Sequence, residues 1–188
     1  MRSHRLALRH FTLADATFIL FLLNDPSWLR YIGDRNVHSL QDAERYLRDG
    51  PFAMQATHGH SLWAVTLADT DAAIGMCGLL KRDSLASADV GYAFLPEWRG
   101  QGVAREAVAS TLRYGRDVLG MKKIVAVSSI DNERSIRSLL AADVQRALSA
   151  LVNQCRRLLE GVGMREQGRV RLSEGAEECR LFVWGDEE

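Results

Sequence analysis

The chain has 188 residues, 24 Lys plus Arg against 24 Asp plus Glu, a formal net charge of zero and a hydrophobic fraction of 47%. This suits one domain with a single buried core and excludes disorder and collagen-like repeats, while the balanced charge speaks against a nucleic-acid binder that relies on a strong basic field. Cys77, Cys155 and Cys179 show no C-x-x-C spacing, so free thiols in a reducing cytoplasm are expected, not a disulfide framework or a zinc site. The one apolar run near the N-terminus, Phe18 to Leu23, is too short for a signal-peptide core and far below the roughly 20 residues of a membrane span, so a cytoplasmic protein with no membrane partner is expected.

In chain order, Leu6 to Arg9 reads as a short alternating strand. Thr12 and Asp15 resemble a capping box that opens a helix to about Asn24, which Asp25-Pro26 ends. Trp28 to Arg35 is expected as a surface loop with binding character, with Trp28, Tyr31 and Trp63 as candidate binding-site aromatics, and Ser39 caps a second helix from Leu40 to about Asp49. The period then changes to that of strands at Leu62–Leu67, Ala73–Leu80 and Asp89–Leu95, with short connections that predict an antiparallel meander. A Gly-rich turn leads to a helix over Val103–Leu119, with apolar spacing at Val103, Ala107, Val108, Leu112 and Val118, and Gly120 stops it. Lys123 to Ser128 is a mostly apolar, central strand. Asp131 opens another helix, and Met164–Val170 with Cys179–Trp184 form a terminal hairpin. The order βααβββαβαββ implies an α/β, three-layer αβα fold around a mixed, mostly antiparallel twisted sheet, with residues 1–188 as one domain.

The chemically informative stretch is Leu95-Pro-Glu-Trp-Arg-Gly-Gln-Gly-Val-Ala104, which sets two glycines between a strand end and a helix start. The first turn of a helix carries unpaired N–H groups and a positive dipole end, and glycine lets a phosphate approach the backbone without a Cβ in the way. A Gly-x-Gly alone also serves ordinary turns, and neither a Walker loop nor a full dinucleotide fingerprint is present. His58-Gly-His60 has a two-ligand spacing but no acidic or Cys partner nearby in sequence, so no metal is expected.

Arg99-x-x-Gly102-x-Ala104 resembles the acyl-CoA-binding signature of the GNAT superfamily of N-acetyltransferases, and Asp89-Val-Gly-Tyr-Ala-Phe-Leu-Pro96 resembles that family's fourth strand. Asp131-Asn-Glu-Arg-Ser135 is similar to the Asn-x-x-Ser motif of the branch that holds the ribosomal-protein N-terminal acetyltransferases. The likeness runs from about Leu6 to Ser138 and again from Leu158 to Trp184. It implies an acetyl-CoA-dependent enzyme that moves an acetyl group directly from the thioester to a primary amine, either a protein N-terminus or a small molecule. By that resemblance the amides of Gly100, Gln101, Gly102, Val103 and Ala104, with Arg99 in the motif, hold the CoA pyrophosphate, and Phe94 and Leu95 pair with the pantetheine arm. The Leu95 N–H is then the candidate oxyanion donor, and Asn132 and Ser135 contact the pantetheine or its phosphate, with helix capping as their alternative role.

Most amines arrive charged at neutral pH, so a base or a water relay assists transfer. Asp89, Glu97 and Asp131 are the nearby carboxylates, and Asp89 is the candidate base or amine anchor. The tyrosine acid that many relatives carry seven residues beyond the Asn is Leu139 here, so Ser135, a water, or unaided departure handles the thiolate. About twenty residues, 138–157, form an insertion without Gly or Pro, whose apolar positions follow helical spacing. Prolonging the helix through it adds ~30 Å at 1.5 Å per residue. Either the helix breaks and folds back, or the terminal strands join a second chain in a swapped homodimer. The alternatives to an enzyme are an acyl-CoA-binding sensor and an assembly protein with weakened catalysis.

Overall fold

The computed structural model describes residues 1–129 and 154–185. Among these, seven strands form one sheet: β1 (Leu6–Arg9), β2 (Leu62–Leu67), β3 (Ala73–Leu80), β4 (Ala88–Phe94), β5 (Lys123–Ser129), β6 (Arg165–Arg171) and β7 (Glu178–Gly185). Their order is β1-β2-β3-β4-β5-β7-β6, and every neighbouring pair is antiparallel except β4 with β5. The expected meander is β2-β3-β4, the expected central strand is β5, and the expected terminal hairpin is β6-β7.

Period-two alternation sends each strand's residues to opposite faces, and each face meets its own helices. Trp63, Val65, Cys77, Leu79, Val90 and Phe94 bury against Val103, Ala107, Val108 and Leu112 of α5 (Val103–Asp117). Leu159, in a helix over residues 154–161, joins that cluster. On the other face Leu62, Ala64 and Met76 pack against α1 (Ala16–Leu23), Trp28 of α2 (Pro26–Tyr31) and α3 (Leu40–Leu47). The layers are therefore helix, sheet and helix.

The structure departs from the expected elements at four places, each with a local cause. Asp25-Pro26 starts a helix as well as ending one: the Asp25 carboxylate accepts from the backbone N–H of Ser27 and Trp28, and proline suits the first helical position. Helix α3 does not stop near Asp49, because a π-helical turn over Arg48–Phe52 takes in Pro51 and leads into α4 (Ala53–His58). The wider turn accommodates the proline that a tight α-turn rejects. His60, singled out above only for its His-Gly-His spacing, is buried just before β2, with Nδ1 3.0 Å from the Leu79 carbonyl. Val118 is 65% exposed and lies beyond the end of α5, outside the core assigned to it from spacing.

Residue Asp15 joins the first two elements. Its carboxylate receives both terminal amino groups of Arg9 at 2.9 Å and the Thr12 backbone N–H at 2.8 Å. Burial alone would raise its pKa, but these bonds outweigh it and hold the group below its ordinary value. At the far end, β7 pairs with β5 from Lys123↔Gly185 to Ser129↔Cys179, so the terminal hairpin completes the sheet. The insertion lies outside the described residues except for its last four positions, 154–157, which are helical.

Gly78 on β3 faces the β2 backbone so closely that a Cβ would stand 2.1 Å from the Ser61 carbonyl oxygen. Gly78→Ala is expected to lower stability by about 1–3 kcal/mol through overpacking against backbone that cannot move aside. Thermal melts check this.

Candidate active site

The site begins where two parallel strands part. β4 pairs with β5 only at Ala88↔Ile124 and Asp89↔Val125, whereas β4 stays in register with β3 from Asp89 to Phe94. Beyond Asp89 one edge of β4 faces a gap. The Leu95 N–H donates to the Ile74 carbonyl at 3.0 Å. Since successive residues of a strand turn their polar groups to alternate edges, Ala93 and Gly91 also face β3, and Tyr92 and Phe94 turn theirs to the gap. The Leu95 amide, expected as the oxyanion donor, is thus committed to the sheet. The Phe94 amide holds the position facing the gap.

The gap opens into a cavity of about 730 Å³. Trp28, Tyr31, Tyr46, Met54 and Met76 line it together with Gly100, Gly102 and Arg105. Gly100 and Gly102 have φ of +75° and +77°, the left-handed region that glycine enters without a steric penalty. Gly102 is the N-cap of α5 and supplies no side chain to its amides. Among the described residues no partner accepts from the backbone N–H groups of Gly100, Gln101, Gly102, Val103 or Ala104. A turn of free amides before a helix dipole is an anion cradle.

The loop is held by its carbonyls and side chains, which leaves those amides available. Arg5 donates to the Gln101 carbonyl at 3.2 Å and to Glu106 at 2.8 Å, and the Gln101 side-chain amide donates to the Glu97 carbonyl at 2.6 Å. Arg99 does the larger work. Its guanidinium donates to the Phe94 carbonyl at 2.9 Å, the Ser27 hydroxyl at 2.9 Å and the Asp25 carboxylate at 2.6 Å. Expected to hold the anion, Arg99 instead fastens the end of β4 to the start of α2.

Asp89 is 1% exposed, and its Oδ2 receives the Arg82 Nε–H at 2.6 Å. Its Oδ1 is buried with no hydrogen bond of good geometry among the described residues. Burial pushes its pKa up, against the pull of the Arg82 charge and hydrogen bond and of the Val127 backbone N–H. Asp89 lines the cavity, with one carboxylate oxygen held by Arg82 and the other buried in the wall. Arg82 lines the cavity beside it, and the two terminal amino groups of Arg82 make no hydrogen bond among the described residues.

Tyr92, which sequence reading passed over, lines the cavity and donates its hydroxyl to the Cys155 Sγ at 3.1 Å. Burial, with Cys155 adding to it, keeps the phenol well above its ordinary pKa, so it is a protonated donor at neutral pH. Strand alternation gave its face, but its contact 63 residues away had no local signal. Trp28 and Tyr31 line the cavity as expected, while Trp63 lies on the α5 face, edge-on to Tyr114 with ring centroids 5.3 Å apart. Asn132, Ser135, Asp131 and Leu139 lie outside the described residues.

A family model described as an acetyltransferase (GNAT) domain matches residues 5–145. Among curated proteins, the chain is 31% identical over 150 residues to the uncharacterized N-acetyltransferase YoaA of Bacillus subtilis, covering 78% of this chain and 82% of the relative. It is 28% identical over 148 residues to the uncharacterized N-acetyltransferase p20 of Bacillus licheniformis, covering 77% and 81%. In fold it is similar to the ribosomal-protein-S5-alanine acetyltransferase of Vibrio fischeri, with TM-score 0.71, 17% identity and coverage of 100% and 97%. It is also similar to the spermidine N-acetyltransferase of Vibrio cholerae in complex with CoA and spermine, with TM-score 0.68, 19% identity and coverage of 96% and 95%.

Two outcomes follow from this geometry. At Gly102 an added Cβ would meet only the Arg5 guanidinium, at 3.7 Å, so Gly102→Val folds with a strain of about 1–2 kcal/mol from its positive φ. Its acetyl-CoA affinity is expected to fall at least about tenfold, as lost hydrogen bonds to a charged group imply, and calorimetric titration measures it. For Asp89 the folded pKa lies above the unfolded one, so its contribution to stability is full in acid and is lost as pH rises through the folded value. Asp89→Asn mimics the protonated form and should gain stability relative to wild type as pH rises from acid to neutral, which paired thermal melts across that range would show.

Proposed function

The chain belongs to the GNAT acetyltransferase family, which transfers an acyl group from acetyl-CoA, and from that premise we propose that it moves an acetyl group directly to a primary amine. The observation that carries the reading is the continuity of the gap beside β4 with the free amides of Gly100 to Ala104. An arm entering the gap would extend the sheet as an added strand, pairing with the edge groups of Tyr92 and the Phe94 amide, while its pyrophosphate rests on the glycine turn. The sequence motif that holds Asn132 and Ser135 belongs to the same reading, as contacts to that arm.

The amine nitrogen attacks the thioester carbonyl carbon, the C–S bond breaks, the amine proton passes to water, and the thiolate takes up a proton. The Phe94 N–H is the donor for the developing oxyanion, where exclusion of water makes one hydrogen bond worth several kcal/mol. The Tyr92 hydroxyl, which lines the cavity, passes a proton to the departing thiolate and takes one back from water. Tyr92 would thus take the part of the acid whose expected position is Leu139. Because a thiol with pKa near ~8.5 is a fair leaving group, this acid assists without being indispensable.

A cytoplasmic enzyme acting as a homodimer through residues 138–157 belongs to the same proposal, supported by free thiols and by helical apolar spacing at Leu140, Val144, Leu148 and Leu151. Sedimentation at several concentrations tests the dimer. For the activity, acetyl-CoA is expected to bind where NADH and ATP do not, and to release thiol when amines are added. Tyr92→Phe should lower kcat about 10²-fold or less with acetyl-CoA affinity retained, since general acid catalysis contributes about 10²–10⁴-fold at most sites and the leaving group here is a good one. Binding without turnover of any amine would make the chain an acyl-CoA sensor.

A further inference from the structure

The acceptor side of the cavity has a charge pattern that the transfer chemistry does not require. Arg35, Lys81 and Arg82 line it, and Asp89 is the one carboxylate among the described lining residues. Asp89 is already bound to Arg82 and enclosed. Arg35 is exposed and makes no hydrogen bond or ion pair among the described residues, and Arg82 keeps its two terminal amino groups free. Lys81 donates to the Leu85 carbonyl at 3.0 Å, an acceptor that leaves its charge uncompensated. Trp28, Tyr31, Tyr46, Met54 and Met76 line the same cavity.

Resting on the acetyl-transfer reading above, we propose that the acceptor is a free amino acid with an apolar or aromatic side chain, its α-carboxylate held by Arg35 and Arg82. The planar guanidinium fork matches a carboxylate in two parallel hydrogen bonds, and the aromatic and thioether wall takes the side chain. A polycation is repelled by the same three groups and finds no uncommitted acid among the described lining residues. Asp89 acts through Arg82: its carboxylate fixes the Nε end of the guanidinium, so the fork is aimed before the acceptor arrives, which makes Asp89 a positioning residue. A cavity of about 730 Å³ that also receives the thioester end leaves space for one compact amine.

The test compares kcat/KM at saturating acetyl-CoA for phenylalanine, leucine, methionine, phenylalanine amide, phenethylamine, spermidine and a short peptide beginning with phenylalanine. Phenylalanine is expected to exceed its amide and phenethylamine by about 10- to 100-fold, the scale of hydrogen bonds to a charged group. Arg35→Gln should raise KM for phenylalanine about tenfold or more without raising that for phenethylamine, and with acetyl-CoA affinity retained. Arg82→Lys keeps a charge beside Asp89 but loses the fork, and should do the same without unfolding the site. Turnover of spermidine, the peptide or phenethylamine at or above the rate with phenylalanine overturns this proposal while leaving acetyl transfer standing. The same holds if acetyl-CoA binds and no free amino acid accelerates thiol release. Failure of acetyl-CoA to bind at all overturns the acetyl-transfer reading together with this one.

Discussion

Everything in this site depends on keeping β4 open along one edge, and the Arg99 guanidinium is what secures that edge. A bare strand edge attracts partners, and its own carbonyls seek donors. Arg99 gives the Phe94 carbonyl a donor that is not a strand, and at the same time binds Ser27 and Asp25 at the start of α2. Asp25 in turn caps α2 through the Ser27 and Trp28 amides. One side chain therefore couples the end of the open strand to the helix that carries two aromatics of the cavity wall. The link is charge-assisted at its Asp25 end, which is 7% exposed at the side chain, so solvent screens it little.

The glycine turn follows from the same arrangement. Pro96 ends β4 and forms a 3-10 turn over Pro96–Trp98, after which two left-handed glycines reverse the chain into α5. Carbonyls and side chains anchor the loop to Arg5 and Glu97, and the amides stay free. Anchoring through acceptors costs the cradle none of its donors, and that division lets a rigid loop remain a binding loop.

Much of this was legible from local pattern. The strands Leu62–Leu67 and Ala73–Leu80, the turn of Gly100 to Gly102 and the hairpin after Gly163 each follow from a few consecutive residues. What was not legible depended on register or on distant contacts. The role of the Leu95 N–H turns on its pairing with Ile74, which spacing along one strand does not give. Asp25-Pro26 reads as a stop, and its second role as cap and first position of α2 depends on the packing of that helix on the sheet. The helix expected to end near Asp49 continues, because a wider turn carries it through Pro51. The alternation of β4 assigns Asp89 to the acceptor face but says nothing of depth, so its enclosure by Arg82 had no signal in sequence.

β4 also works as a partition. Val90 and Phe94 bury against α5, with Tyr92 beside them, while Ala93 packs with the α1 and α3 cluster and Asp89 meets Arg82. Donor chemistry and acceptor recognition thus lie on opposite faces of one strand, a residue apart in sequence. A Cβ at Gly91 would stand 3.0 Å from Leu80 Cδ1, so glycine there lets Leu80 lie close over the strand on the acceptor side. With Ala93 two residues on, the floor beneath an incoming amine is made of the smallest side chains available. The cations and aromatics around it then decide which amine settles there, and the open edge of β4 decides where its nitrogen must stop.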